Sequence, residues 1–201
     1  MTAEEYFQSI AEEIFAKTLN QFGAGKVSSG PLVVRFENDG WFVELLALSE
    51  DGPLYSPRVE IGPLPERGAL ARDKQVDIMH TVPADSPLRR YNLEWRYSGP
   101  AEMRQVYTRV RDGIFTPYAI PVLLDHERLT RLVASRSQQL QKQWRDETTA
   151  HNDAVYRAKA QAVIATKDYE AFIDQMKNIP EERQTEIERT RVHYAMQQVR
   201  K

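Results

Sequence analysis

The sequence predicts an α+β fold: an N-terminal helix, a small, mostly antiparallel sheet of about four to five strands covered by helices, and an all-helical C-terminal extension. Three observations predict it. Apolar residues recur at helical spacing through the first two dozen positions. Short stretches with a period of two, punctuated by glycine and proline, follow as far as Tyr97. After Leu123 there is no glycine at all and only one proline, Pro180. That compositional shift sets the expected organisation: an α+β domain over 1–122 and a helical extension over 123–201, the latter a long helix or helical hairpin followed by two shorter helices.

The first helix carries Tyr6, Phe7, Ile10, Ile14, Leu19 and Phe22 on one stripe. Thr2 and Glu5 have capping-box spacing, and Gly23 suits a left-handed C-terminal cap. "GPLVVRFENDGWFVELLAL" predicts a hairpin: Leu32, Val34 and Phe36 alternate with Val33, Arg35 and Glu37, and Gly40 in "NDG" tolerates the positive φ of a tight turn. The return strand is apolar on both sides (Val43, Leu45 and Ala47; Phe42, Leu46 and Leu48), which predicts cover on both faces. Arg58 to Ile61, bounded by proline, reads as an edge strand or irregular segment, since proline lacks a ladder amide. "QVDIMHTV" predicts another short strand. "RRYNLEWRYSGP" predicts a further one, with Tyr91, Leu93, Trp95 and Tyr97 on one face.

At Ser98 the period changes to 3.6. Ser98 or Gly99 caps, Pro100 sits in the first turn and Glu102 faces the helix N-terminus, ahead of a core stripe of Met103, Val106, Tyr107, Val110 and Ile114. Gly113 and Pro117 loosen the end, and "YAIPVLL" is expected to form a buried corner around Pro121. In the extension, Leu129, Leu132, Val133, Leu140, Trp144, His151, Val155, Ala158 and Ala162 fall near one stripe. A helix over Asp125 to Ala165 would be about 60 Å long, against about 35 Å for the width of the preceding domain. It therefore projects, or it breaks at "ETTAHND", whose Thr148, Thr149, Asn152 and Asp153 suit caps. A short helix at Asp168 to Lys177 and a restart at "NIPEER" complete the chain.

The composition narrows the function classes. With 201 residues, 41% apolar and 28% charged, the chain is globular. The formal charge is −2, with residues 1–122 at −4 and the remainder at +2, so a phosphate-binding surface is not expected and nucleic acid is not a predicted partner. No cysteine is present, which removes thiolate chemistry, disulfides and cysteine-ligated metals. The acidic start and the lack of a long apolar run predict no signal peptide and no membrane span, hence a soluble, cytoplasmic protein.

No motif fixes a chemistry. His80, His126, His151 and His193 have no metal-ligand spacing, and Asp125, His126 and Glu127 diverge as neighbours on a helix. "GAGK" follows a helix rather than a strand, unlike a phosphate loop. No catalytic residue, cofactor or metal ligand is therefore assigned. Glu44 and Glu94 read as solvent-facing positions or as ion-pair partners of Arg35 and Arg96. The order of elements is similar in layout to small bacterial α+β proteins that work by binding, including immunity proteins that block a toxin, though no diagnostic motif accompanies the likeness. The expectation is a non-enzymatic protein that binds another protein, such as a toxin or effector, or associates with itself through the C-terminal helices, with Trp144, Arg145, Tyr156, Arg157 and Tyr169 as contact residues. One alternative is an enzyme or small-ligand binder with a site assembled from Arg35, Tyr55, Arg58, Glu60 and Tyr97. Another is an assembly protein that oligomerises through the extension.

Overall fold

The computed structural model describes residues 3–49, 54–64, 75–90 and 95–200. The chain divides into two compact units, 1–138 and 139–201. The composition changes at residue 123 but the packing changes later, because Leu129 and Val133 are buried in the first core and Leu132 packs against it.

In the first unit, α1 (Ala3–Asn20) buries Tyr6, Phe7, Ile10, Ala11, Ile14, Phe15 and Leu19, the stripe its periodicity requires. It ends as expected, with Gly23 at φ +77° and the Ala24 amide donating to the Leu19 carbonyl at 3.2 Å. Thr2 and the Glu5 side chain lie outside the described residues.

The sheet is a five-stranded antiparallel meander in chain order. It comprises β1 (Gly25–Gly30), β2 (Val33–Glu37), β3 (Trp41–Ser49), β4 (Tyr55–Pro63) and β5 (Val76–Asp77). The β2–β3 hairpin has the expected faces, with Val34, Phe36, Val43, Leu45 and Ala47 buried. Its turn works differently from the expectation. Gly40 does not take positive φ; instead the Asn38 side chain accepts from the amides of Gly40 (2.9 Å) and Trp41 (3.0 Å). β1 was not anticipated, because "GKVSSG" has no alternation to read; it is an exposed strand held by pairing with β2 and irregular between Lys26 and Ser28.

Three other segments depart from expectation. β4 is longer than predicted, since Pro57 is accommodated where only β3 pairs with it, and β5 meets it only at Glu60 and Ile61. "QVDIMHTV" yields two strand residues and then a 3-10 turn (Ile78–Thr81), because the Asp77 carboxylate accepts from the Met79 amide at 2.8 Å and starts a helical turn. The strand expected from Tyr91 to Tyr97 is, in its described part, an isolated bridge: Tyr97 exchanges two 2.9 Å backbone hydrogen bonds with Tyr55. Residues 91–94 lie outside the described residues.

α2 (Pro100–Val110) starts at Gly99 with Pro100 in its first turn, and Glu102 reaches back to the Ser98 amide and hydroxyl, both at 2.8 Å. Its predicted stripe is buried in full. The corner expected at Pro121 is absent. The chain runs on through a π-helical segment (Arg111–Ala119) into α3 (Ile120–Leu123), with the Ile120 amide bonded to the Phe115 carbonyl. Pro117 has no amide to offer the narrower α ladder, which the wider turn accommodates. The bend comes at Asp125, which caps Arg128 at 2.9 Å. At the centre of the core Tyr107 meets Phe7, Phe15 and Tyr97 edge-on, with ring centroids 6.0, 6.2 and 5.9 Å away.

α4 (His126–Ala165) is one unbroken 40-residue helix. In the second unit its later part joins α5 (Tyr169–Met176) and α6 (Glu186–Val199) around Ala160, Phe172, Ile173, Met176, Ile179 and Ala195. The break considered at Thr148 to Asp153 does not occur, because Asp153 is not used as a cap: it is buried and receives Arg183 at 3.1 and 3.2 Å. The last helix begins later than "NIPEER" suggests. Glu181–Arg183 is a single 3-10 turn, and Thr185 with Glu188 forms a capping box.

Candidate interaction surface

The residues of the scattered-site alternative fall into two groups within the first unit. On the outer face of the sheet, cross-strand register places Arg35 opposite Glu44, Glu44 opposite Glu60, and Glu60 opposite Asp77. Arg35 binds Glu37 (2.6 Å) and Glu44 (3.4 Å), with its guanidinium 3.8 Å above the Phe42 ring. That stack covers only part of the second face of β3: Phe42 is fully buried, whereas Leu46 is half-buried and Leu48 is exposed. Arg58 binds Glu60 at 2.5 Å and Asp77 at 3.8 Å, and Gln75 donates to Glu60. Burial pushes the Glu60 and Asp77 carboxyls above the usual carboxylate range, and it pushes the His80 imidazole down. A cavity of about 290 Å³ beside this ladder is lined by Leu48, Pro57, Arg58, Asp77, Met79 and Trp95, among others.

Tyr55 and Tyr97 form the second group. Their rings stack at 5.9 Å and 21°, and Tyr97 continues into the core. Arg58 and Glu60 are thus brought together, Arg35 stands two strands away, and the tyrosines serve packing. The four carboxylates, Glu37, Glu44, Glu60 and Asp77, share two arginines of the sheet, Arg35 and Arg58, so chemically the face is an ion ladder with an excess of acids. Among the described residues no group of three or more side chains is placed to hold a metal ion. No described helix is long and apolar enough to cross a membrane.

In the second unit the five predicted contact residues divide. Tyr156 and Tyr169 pack against the small core, Tyr169 meeting Tyr194 edge-on at 5.9 Å. Arg157 donates to Glu188 (2.7 Å) and to the Arg183 carbonyl (2.7 Å), tying α4 to the turn before α6. Trp144 and Arg145 are exposed; Trp144 at 68% is the most exposed of the large apolar side chains described.

Residues 138–147 are exposed all the way round α4, so Leu140 and Trp144 face solvent together with their neighbours, and only from Asp153 onward does the unit bury one face of the helix. Asp153, Tyr156, Ala160, Val163 and Ile164 turn to the core or pack against it. At about 100° per residue, Leu140, Trp144, His151, Val155, Ala158 and Ala162 lie roughly half a turn away. They are exposed and belong to neither hydrophobic core. The stripe legible in the sequence is therefore real, but beyond Val133 it is an outer face. Sequence reasoning missed the inner one, because Asp153 and Ala160 are not apolar markers and their partner Arg183 is distant in sequence. Comparison with protein-family models, with curated proteins and with solved structures finds no match.

Proposed function

We propose that the protein works by binding another protein through the outer stripe of α4, with Trp144 as the anchor. One observation carries this reading: a tryptophan 68% exposed, one turn from the exposed Leu140, in a stretch of α4 that neither core covers on any side. Tryptophan is a costly side chain to leave in water and a common energetic centre of interfaces. The exposed polar side chains of Gln141 and Glu147, three residues to either side of it, supply a polar rim. An immunity-type role, in which the partner is a toxin or effector, is one form of this proposal.

The test is a comparison of the proteins recovered from the native host by the wild-type chain and by Trp144→Glu, with helicity checked by circular dichroism. A stoichiometric partner held by the wild type and released by Trp144→Glu supports the reading; a partner held equally by both overturns it.

The ladder around Glu60 supports a second reading, a small-ligand site at the neighbouring cavity. Its test is a ligand screen by thermal shift on the wild type and Arg58→Ala: hits that raise the melting temperature of both equally count against it.

A further inference from the structure

The outer face of α4 has a finer pattern than an apolar stripe. Leu140, Trp144, Glu147, His151, Ala154 and Ala158 are all exposed, and they are separated alternately by four and three residues. That alternation is the spacing of a coiled-coil seam, in which one helix face meets another by knobs into holes, here with Glu147 and His151 at its two central positions. The order of residue types along it reverses in character about the middle. Large apolar residues stand at one end, alanines at the other, and an acid and a histidine lie between.

We propose that the occupant of this seam is a second copy of the chain, its α4 antiparallel to the first about a two-fold axis beside Thr149. The proposal rests on the protein-binding reading above and names the partner. In this register Leu140 faces the second copy's Ala158, Trp144 faces its Ala154, and Glu147 faces its His151, with each pair repeated by symmetry. Every large side chain meets a small one, and every acid meets a base. The flanking positions bring Gln141 to the second copy's Val155 and Gln143 to its Arg157, so no like charges oppose. A parallel, in-register pair would instead set Trp144 against Trp144, Glu147 against Glu147 and His151 against His151.

The seam is about 27 Å long. Two tryptophans contribute about 150–250 Å² each to the buried surface. So short a seam belongs to the small interfaces, which bury less than about 1,200 Å² and are mostly transient. The expected behaviour is therefore a monomer and dimer in exchange.

Sedimentation velocity of the full chain, from low-micromolar to near-millimolar concentration, is the first measurement; a concentration-dependent dimer is expected. Trp144→Ala weakens it by about tenfold or more, as removal of an interface centre does. Glu147→Lys and His151→Glu each weaken it, and the two combined restore it, because the swap re-forms both opposed pairs. The chain has no cysteine, so orientation can be read directly. Under mild oxidation a mixture of Leu140→Cys and Ala158→Cys chains forms the mixed disulfide, while Leu140→Cys alone does not cross-link. A chain that stays monomeric throughout overturns the proposal, as does a dimer indifferent to Trp144→Ala or Leu140→Cys chains that link to each other. If the chain is monomeric yet a host partner is lost with Trp144→Glu, only the second copy is wrong; if that partner survives Trp144→Glu, the protein-binding reading falls as well.

Discussion

Two buried tyrosines in contact have opposite standing. The Tyr107 hydroxyl donates to the Leu46 carbonyl at 2.9 Å, while that of Tyr97 is buried without a hydrogen-bond partner among the described residues. Removing a made bond exposes its partner's desolvation, and removing an unmade one relieves it. Tyr107→Phe should therefore lower stability by about 1 kcal/mol, and Tyr97→Phe should leave it unchanged or raise it, both read from urea unfolding. Glu60 gives a pH signature. Burial holds its carboxyl above the model-peptide value of 4.5, so the folded state binds this proton more tightly than the unfolded state does. Its stabilising contribution is complete below that value and fades as pH rises through the raised one. Urea stability of Glu60→Gln should consequently decline less between mild acid and neutral pH than that of the wild type. At the end of α4, Lys167 sits at φ +61°, a conformation that L side chains rarely adopt. Lys167→Gly should stabilise the second unit by up to about 1 kcal/mol, seen as a later urea transition of its helical signal.

Elements whose pattern comes from their own burial were legible in the sequence. α1, α2 and the β2–β3 hairpin each bury one face, and their apolar spacing says so. Elements defined by a partner were not. β1 exists because β2 offers an edge, and nothing in Gly25 to Gly30 marks it. Trp95 and Tyr97 alternate as a strand would, yet only Tyr97 finds a strand to pair with. Side chains that bond the backbone decide two turns, Asn38 before β3 and Asp77 before its 3-10 turn, although the neighbouring glycine and apolar run are the stronger signals in the sequence. For the candidate surface, Trp144 was visible and Arg145 with it, whereas Tyr156 packs on the small core and Arg157 and Tyr169 are held by contacts across 25 to 31 residues that no local pattern records. The most consequential of those contacts is Asp153 with Arg183. Asp153→Ala strands the guanidinium at a half-exposed site, so a cost of about 1–2 kcal/mol is expected, while Arg183→Ala leaves the buried carboxylate unpaired and costs more, about 3 kcal/mol, with the double variant well below the sum of the two. Strict additivity in that cycle, measured by urea unfolding, would mean that the pair is uncoupled.

At the scale of the molecule, two cores of unequal size imply unequal stability. The first joins a sheet, α1, α2 and the start of α4, and the second rests on six buried side chains. Phe172→Ala removes the largest of the six at a cost of about 3–5 kcal/mol, more than so small a core is expected to spare. Native-state hydrogen exchange should then show the α5 and α6 amides unprotected while those of β3 stay slow. Loss of protection in both units together would mean that they unfold as one.

The meander order of the sheet has a consequence for synthesis. Every strand pairs with its neighbour in sequence, so apart from the single bridge from Tyr97 to Tyr55 no pairing waits for a distant partner, and hairpins close in about 1–10 μs. A ribosome adding about 5–20 residues per second needs about 1–5 s to pass from Asp77 to Pro100, where α2 begins. During that interval the sheet can be complete while the helix that buries Tyr107 against Leu46 does not yet exist. Among the described elements, α1 is the helix already made that can shelter Val34, Phe36, Val43 and Leu45. Its early place in the chain gives the nascent sheet a cover before the permanent one arrives.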